Sequence, residues 1–360
     1  MIAVIIFVII LGLLVLVHEF GHFIVAKKSG MLVEEFGIGF PPRLFSFKKG
    51  ETKYSFNLIP LGGFVKILGE NNKEGENPRS FINKSFFSRF STLVAGVLMN
   101  FVLAWVLFSI GFGIGLPTVI QSGETLPKYG TLRSEAVTIL EVAPNSPAEK
   151  AGIRAGDNIL GADEFVLTGQ GDASVDQFIV YVKSKAGTDV QMHVRRGSEE
   201  LYLTINPRLN PPPEEGAIGI ALGNVGKLSF PWYLAPVMGL KATGNVISGT
   251  ASAFWNLIAH GEGLSSVGGP VKIASLTGQV SKLGFAYILQ FAAFLSVNLG
   301  ILNIVPFPAL DGGRVLFLII EKIRGKRNNE TFEQYANAIG FGLLIMLILV
   351  ITARDIKGLF

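Results

Sequence analysis

The stretch His18-Glu19-Phe20-Gly21-His22 lies inside an uninterrupted apolar run, residues 2–26. On a helix, His18 and His22 are one turn apart on the same face, so both imidazoles can reach one metal ion while Glu19 reaches its bound water. Two histidines and a glutamate could fall in an apolar helix by chance, but ionisable side chains are costly in hydrocarbon and are usually functional there. The stretch therefore predicts a zinc-peptidase type of site inside a membrane span.

The composition of the 360-residue chain also indicates a membrane protein. Hydrophobic residues make up 49% and charged residues only 16% of the chain, which is too apolar for an ordinary soluble domain. The lack of cysteine in the sequence excludes disulfides, cysteine-ligated zinc and thiol catalysis. The net charge of +4 shows no dense basic run with interleaved aromatic residues, so we expect no nucleic-acid partner.

Four apolar segments are predicted to span the bilayer, at residues 2–26, 93–116, 285–305 and 336–352. The first has no preceding basic residue and no small-x-small cleavage site, so we expect a retained span rather than a cleaved signal peptide. From Lys27 to Arg89 the chain carries eleven Lys and Arg against six Asp and Glu, which predicts that this loop is cytoplasmic. Both termini are then extracytoplasmic.

Two loop regions have the pattern of β-structure. Apolar residues alternate with small or polar ones at residues 36–42, 54–58 and 61–68, which predicts short strands and turns, a β-loop that could dip into the protein-lined membrane region. Residues 71–83 are predicted to form a polar surface loop. Short alternating segments at residues 137–142 and 190–195 predict a soluble, strand-rich domain with one or two helices.

These patterns divide the chain into four parts. They are two spans with the β-loop (1–116), the strand-rich domain (117–226), a juxtamembrane region (227–284) and the last two spans (285–360). Residues 230–260 have helical spacing but low hydrophobicity. We favour an amphipathic helix on the outer surface over a weak fifth span.

Asp311 is predicted to meet the two histidines. His18 lies eight residues before Lys27, about 12 Å inside the cytoplasmic end of its helix. Asp311 follows the third span, which runs in the same direction, so both residues lie at the same end. Zinc needs a third protein ligand and an open position for water, and a carboxylate is an acceptable donor. The alternative is an Asp-Gly surface turn.

The chain resembles the site-2 proteases, most closely their bacterial regulator-of-sigma-E branch. Beside residues 18–22, the resemblance extends over nearly the whole length, through the motifs Phe36-Gly-Ile-Gly39, Pro60-Leu-Gly-Gly-Phe-Val-Lys66, Ser266-Val-Gly-Gly-Pro-Val-Lys-Ile-Ala274, Ser296-Val-Asn-Leu-Gly300 and Asn303-Ile-Val-Pro-Phe-Pro-Ala-Leu-Asp-Gly-Gly313. The stretch from Pro144 to Leu160 is similar to the signature of a bacterial PDZ domain. Close relatives in that branch carry two such domains, whereas this chain has room for one.

The resemblance implies roles for individual residues. His18, His22 and Asp311 would be the zinc ligands and Glu19 the general base. Asn298 and Asn303 would lie near the scissile peptide, and Gly37 and Gly39 would belong to the membrane-reentrant β-loop.

The resemblance also implies a polytopic α-helical protein of a bacterial inner membrane with an inserted extracytoplasmic PDZ (α+β) domain. It would hydrolyse a peptide bond in a single-pass membrane protein, such as an anti-sigma factor, already trimmed by another protease. An inactive PDZ-bearing adaptor is the alternative, but it predicts a damaged motif, and this motif is intact. A metal transporter is disfavoured because the intramembrane polar residues cluster at one depth.

Overall fold

The computed structural model describes residues 2–70, 77–120, 127–167, 172–212, 215–261, 263 and 268–357. Packing divides the chain into two compact units. The helical unit contains Met1–Phe108, Gly239–Gly278 and Phe291–Phe360, and the sheet unit contains Ser109–Met238 and Gln279–Gln290. The predicted four-part division of the chain stays a prediction.

Four helices in the described residues are long and apolar enough to cross a membrane. They are α1 (Ile2–Lys28), α2 (Phe86–Ile114), α7 (Phe285–Ile304) and α9 (Glu330–Lys357). Their number agrees with the four predicted spans. The predicted start of the second span, residue 93, falls one to two turns late because Arg89 was counted with the loop, whereas in the structure Arg89 is helical and pairs with Glu321.

Strands β1 (Val33–Lys49) and β2 (Thr52–Ile67) follow α1 and form a two-stranded antiparallel hairpin. The β-structure predicted here is present. Residues 35–38 of β1 pair with both residues 53–56 and residues 63–66 of β2, so each strand is bent into two shorter paired segments. Pro41 and Pro42 lie between the two segments of β1, and Pro60 lies between those of β2.

The expectation of a polar surface loop at residues 71–83 is wrong at its end. Residues 71–76 lie outside the described residues, and Phe81–Asn83 form a short 3-10 helix. Phe81 and Ile82 are buried in an apolar cluster with Ala26, Met31 and Leu93. The free energy gained by burying these two large apolar side chains outweighs the preference of the neighbouring polar residues for an exposed loop.

The sheet unit holds a mixed α and β structure. Its strands are β3 (Leu116–Ile120), β4 (Thr131–Val142), β5 (Asn158–Ala162), β6 (Phe165–Val166), β7 (Val190–Arg196), β8 (Glu199–Ile205) and β9 (Ile220–Ser229). All pairs are antiparallel, in the order β3-β9-β4-β5-β7-β8, with β6 beside β5. Helices α3 (Pro147–Lys150) and α4 (Asp172–Ser184) complete the unit, and Phe178 of α4 is buried in its apolar core. The strands predicted at residues 137–142 and 190–195 are therefore present.

Three further helices are α5 (Ala235–His260), α6 (Pro270–Leu283) and α8 (Asp311–Arg324). Helix α5 has the helical structure expected for residues 230–260 from Ala235 onward, and it is not among the helices apolar enough to span. Exposed Trp255 and Ile258 lie on it. Its placement at the membrane surface stays a prediction.

Candidate metal centre

The two histidines of α1 lie side by side and are buried. Their side chains point the same way because four residues make about one helical turn, and they are only 6% and 7% exposed. Gly21 lies between them, and a Cβ at this position would collide with the backbone of Ala95 on α2. The small residue between the histidines therefore allows α1 and α2 to pack in close contact.

Asp311 is brought to the histidines by a tight loop after α7. The loop passes through Ala309, whose φ of +77° is left-handed, and the Ala309 N–H donates to Oδ1 of Asn337 on α9 at 3.0 Å. Asp311 is the first residue of α8, where the helix dipole favours a negative charge. The next residue is Gly312, and this position has no room for a side chain, because a Cβ there would collide with the carbonyl groups at the end of α7.

The three side chains converge on one point. Oδ2 of Asp311 lies 2.9 Å from Nε2 of His18 and 3.4 Å from Nε2 of His22, and the two Nε2 atoms are 3.1 Å apart. Ligands of a tetrahedral zinc ion bound at about 2.0 Å are separated by roughly 3.3 Å. The donor set and its spacing thus fit one zinc ion, and within the described residues this is the one group of three such side chains close enough to share an ion.

The carboxylate of Asp311 has the charge that a cation site requires. Burial alone would raise the pKa of Asp311, but the hydrogen bonds with His18 and His22 outweigh burial and hold this pKa below its ordinary value. Asp311 is therefore ionised at neutral pH and can offer an oxygen ligand to a divalent cation.

Glu19 is held beside the cluster by the hairpin. Its Oε2 accepts a hydrogen bond of 3.1 Å from the backbone N–H of Val65 on β2, and its side chain is half-buried. A carboxylate next to a metal-ligating pair is the arrangement in which a glutamate can take a proton from water.

Three residues of α2 that the sequence analysis did not single out line the histidines. Thr92, Gly96 and Asn100 are spaced four apart and so share one helical face. The carbonyl oxygen of Thr92 accepts from Nδ1 of His22 at 2.7 Å, and Nδ2 of Asn100 lies 3.2 Å from Nδ1 of His18. A Cβ at Gly96 would collide with Nε2 of His22 and, at 2.7 Å, with Nε2 of His18.

The other residues singled out from the sequence do not contact the cluster in the described hydrogen bonds. Asn298 donates from Nδ2 to the carbonyl oxygen of Phe294 in its own helix, at 2.8 Å. Asn303, near the end of α7, is half-buried. Gly37 and Gly39 lie in β1, where a Cβ at Gly37 would collide with the Phe64 ring. Gly39 has a left-handed φ of +78°.

Two imidazoles and an adjacent glutamate on an apolar helix, together with one carboxylate, define a metal-dependent hydrolase of the His-Glu-x-x-His type. Comparison with known proteins gives the family. The model of peptidase family M50 matches residues 6–347, and the chain therefore belongs to this family. Since the family matches almost the whole length and four helices are long enough to span, the protein is an integral membrane peptidase.

Individual relatives agree with this class. A Clostridium perfringens protein, named as a candidate zinc metalloprotease, is 38% identical over 347 residues, covering 95% of each chain. The Bacillus subtilis "Regulator of sigma-W protease RasP" is 31% identical, covering 99% of each chain. The Oceanobacillus iheyensis "Zinc metalloprotease RasP" is 30% identical over the full length of both. The predicted enzyme class, a metalloprotease, and the predicted cofactor, zinc, are confirmed.

Proposed function

We propose that the protein hydrolyses a peptide bond within or near the transmembrane segment of a single-pass membrane protein. The observation that carries this proposal is the position of His18 and His22, which are buried on a helix apolar enough to span the membrane. A peptide bond that reaches them must enter the same region. The sigma-W regulator among the relatives supports an anti-sigma factor as one substrate of this kind.

His18, His22 and Asp311 would hold the zinc ion, since their donor atoms converge within hydrogen-bond distance of one another. When bound, zinc supplies a Lewis acid for the scissile carbonyl and for water activation. The α2 face leaves room for this because Gly96 has no side chain. The carbonyl of Thr92 turns Nε2 of His22 inward by accepting from Nδ1.

Glu19 would be the general base. It lies next to His18 on the chain, on the helix face reached by the hairpin, and its carboxylate is oriented by the Val65 N–H. From there it would take a proton from the attacking water and pass it to the leaving amine. The apolar surroundings of α1 would strengthen these interactions, because the local dielectric constant is low.

The hairpin would hold the substrate. A helical substrate must unwind before cleavage, because its carbonyl groups are engaged in helical hydrogen bonds. Among the described strands, β1 and β2 pair only with each other. Residues 35–38 and 53–56 are paired on both sides, so the edges able to accept an extended peptide are those of residues 43–49 and 63–67. Gly37 and Gly39 would belong to this binding loop, while the amides of Asn298 and Asn303 would stabilise the opened backbone or the developing oxyanion.

The sheet unit would act as a filter outside the membrane. Its sheet and helix α4 agree with the PDZ domain suggested by residues 144–160, and a PDZ groove binds an extended peptide or carboxyl terminus by strand addition. We place this domain and both termini on the extracytoplasmic side of a bacterial inner membrane, with the metal centre near the cytoplasmic face. The domain would then admit only substrates that another protease has shortened.

Replacement of Glu19 tests the reaction. In detergent, purified wild-type protein should bind one zinc and cleave a shortened single-pass substrate inside its membrane segment, and Glu19→Gln should keep the zinc and lose at least about 100-fold in turnover. Glu200→Gln, on an exposed strand of the sheet unit, is the matched control and should turn over normally. Substantial turnover by Glu19→Gln would remove Glu19 as the base, and cleavage outside the membrane segment would contradict the proposed substrate site.

Cysteine labelling tests the orientation, since the chain has no cysteine of its own. A thiol reagent that cannot cross the inner membrane is added to cells whose outer barrier is permeable to it. It should label Glu199→Cys, and it should reach Lys326→Cys only after lysis. Both residues are exposed. The opposite pattern would reverse the proposed topology.

A further inference from the structure

Asn100 is buried in the interior of α2, a helix apolar enough to span the membrane. Its side chain is fully inaccessible to solvent, and a buried amide in such a helix must be compensated by hydrogen bonds or be retained for function. Nδ2 lies 3.2 Å from Nδ1 of His18, whereas Oδ1 has no hydrogen-bond partner among the described atoms. The one recorded partner of the amide is thus a proposed metal ligand.

The orientation of this amide depends on the tautomer of His18. If Nδ2 donates to Nδ1, the ring proton must lie on Nε2, the atom that points at Asp311. A histidine that binds zinc through Nε2 carries its proton on Nδ1 and needs an acceptor there. Rotating the amide by 180° brings Oδ1 to the position 3.2 Å from Nδ1, because the two ends of the amide are nearly the same size.

Counting the hydrogen bonds of the amide does not distinguish the two orientations, since either leaves one end of the amide unpaired. The ligand role of His18 Nε2 distinguishes them, because it requires the proton on Nδ1. We propose that Asn100 is a positioning residue whose Oδ1 accepts from Nδ1–H of His18 and fixes the ring with Nε2 turned to the zinc. This inference rests on the proposed ligand role of His18.

The two histidines are then oriented by different means. His22 uses a backbone carbonyl, that of Thr92, which no substitution removes. His18 depends on a side chain. The backbone oxygen of Asn100, by contrast, accepts from Oγ of Ser296 on α7 at 2.8 Å, a contact that does not involve the amide.

Zinc affinity of the full-length protein, measured by chelator competition in detergent, tests the proposal. Asn100→Leu keeps the approximate size but removes the acceptor, and should weaken zinc binding about 10–100-fold, the usual effect of losing such a partner. Asn100→Asp keeps an acceptor oxygen and should bind within a few-fold of wild type. Ser296→Ala is the matched control, since it removes the hydrogen bond to the Asn100 backbone oxygen and leaves the amide in place, and its affinity should stay near that of wild type.

Equal zinc affinity in Asn100→Leu and Ser296→Ala would overturn the proposal. If wild-type protein binds no zinc, or if His18→Ala binds it normally, the proposed function fails instead, so the two failures are distinguishable. A second measurement needs no variant of Asn100. In zinc-loaded protein with ¹⁵N-labelled histidine, Nδ1 of His18 should carry the proton, and a proton on Nε2 would overturn the assignment even if Asn100→Leu does not fold.

Discussion

The helical unit and the sheet unit differ in where their apolar side chains lie. In β7 of the sheet unit, Val190, Met192 and Val194 are fully buried and alternate with more exposed residues, as expected for a sheet with one face in water. In α9 of the helical unit, Phe341, Leu349 and other apolar side chains are more than half exposed. Lipid solvates such residues and gives no drive to bury them.

The polar residues complete the contrast. His18, His22 and Asn100 are buried within the helical unit, on helices whose outward-facing side chains are largely apolar. The burial of Val190, Met192 and Val194 in the sheet unit is explained by the hydrophobic effect. The burial of His18, His22 and Asn100 in the helical unit needs another reason, because a polar group in hydrocarbon is costly unless it is paired. Buried polar side chains in the apolar helices therefore point to function, and three changes to the protein test this difference between the units.

The largest effect is expected from removing a ligand. His22→Ala or Asp311→Ala should reduce zinc from one ion per chain to near zero and abolish cleavage, because two donors do not complete a tetrahedral site. Metal analysis of the purified protein measures this. His193→Ala is the matched control, a histidine of the sheet unit that pairs with exposed Glu200, and it should keep its zinc. Full occupancy in Asp311→Ala would remove Asp311 from the ligand set.

A smaller effect is expected from filling the space in front of the ligands. A methyl group at Gly96 would collide with Nε2 of His22 and crowd Nε2 of His18, so Gly96→Ala should lower zinc affinity by about 100-fold while the helices stay folded. Gly113 lies on the same helix with open space around its Cβ position. Gly113→Ala should bind zinc as wild type does, and similar affinities for the two variants would show that the α2 face is not part of the site.

The smallest effect on zinc is expected from deleting most of the sheet unit. Pro117 and Lys227 are direct partners in the β3–β9 ladder, so residues 118–226 can be replaced by a two-residue turn, as in a hairpin. The metal ligands all lie outside the deleted segment, and zinc content should be unchanged. The shortened protein should cleave a pre-trimmed substrate and should now also accept an untrimmed one.

The filter model makes this deletion decisive. If the deleted protein is folded and zinc-loaded but cannot cut the pre-trimmed substrate, the domain must deliver or position the substrate instead. If it still rejects untrimmed substrate, selection by size resides elsewhere. Melting temperature and zinc content, measured on the same preparation, separate either outcome from simple misfolding.

The convergence of His18, His22 and Asp311 could be predicted from sequence because each of the three residues breaks a local pattern. The histidines interrupt an apolar span, and Asp311 follows a helix broken by proline. Because the first and third predicted spans run in the same direction, Asp311 was expected at the depth of the histidines. The structure places the three side chains together. The number of spans and the strands at residues 137–142 and 190–195 followed from hydrophobic periodicity, which is a strong signal in long helices and alternating strands.

The α2 face was missed, although its signal was available. Asn100 is a lone amide in an apolar helix, and Thr92 and Gly96 share its face. The sequence of α2 alone does not show what these residues contact. Their function depends on which face of α1 packs against them, and this is a tertiary contact. The contact between Val65 and Glu19 was beyond prediction for the same reason, since it requires the register of β2 against α1.

The distance along the chain between His18 and Asp311 bears on how the enzyme is made. The two residues are 293 positions apart, and at about 5–20 residues per second the ribosome needs roughly 15–60 s to add the second after the first. The loop that carries Asp311 is tied to Asn337, so its anchor is synthesised later still. With the proposed ligands, a nascent chain thus carries two of the three through most of its insertion, and we expect it to gain proteolytic capacity only when α9 is in place.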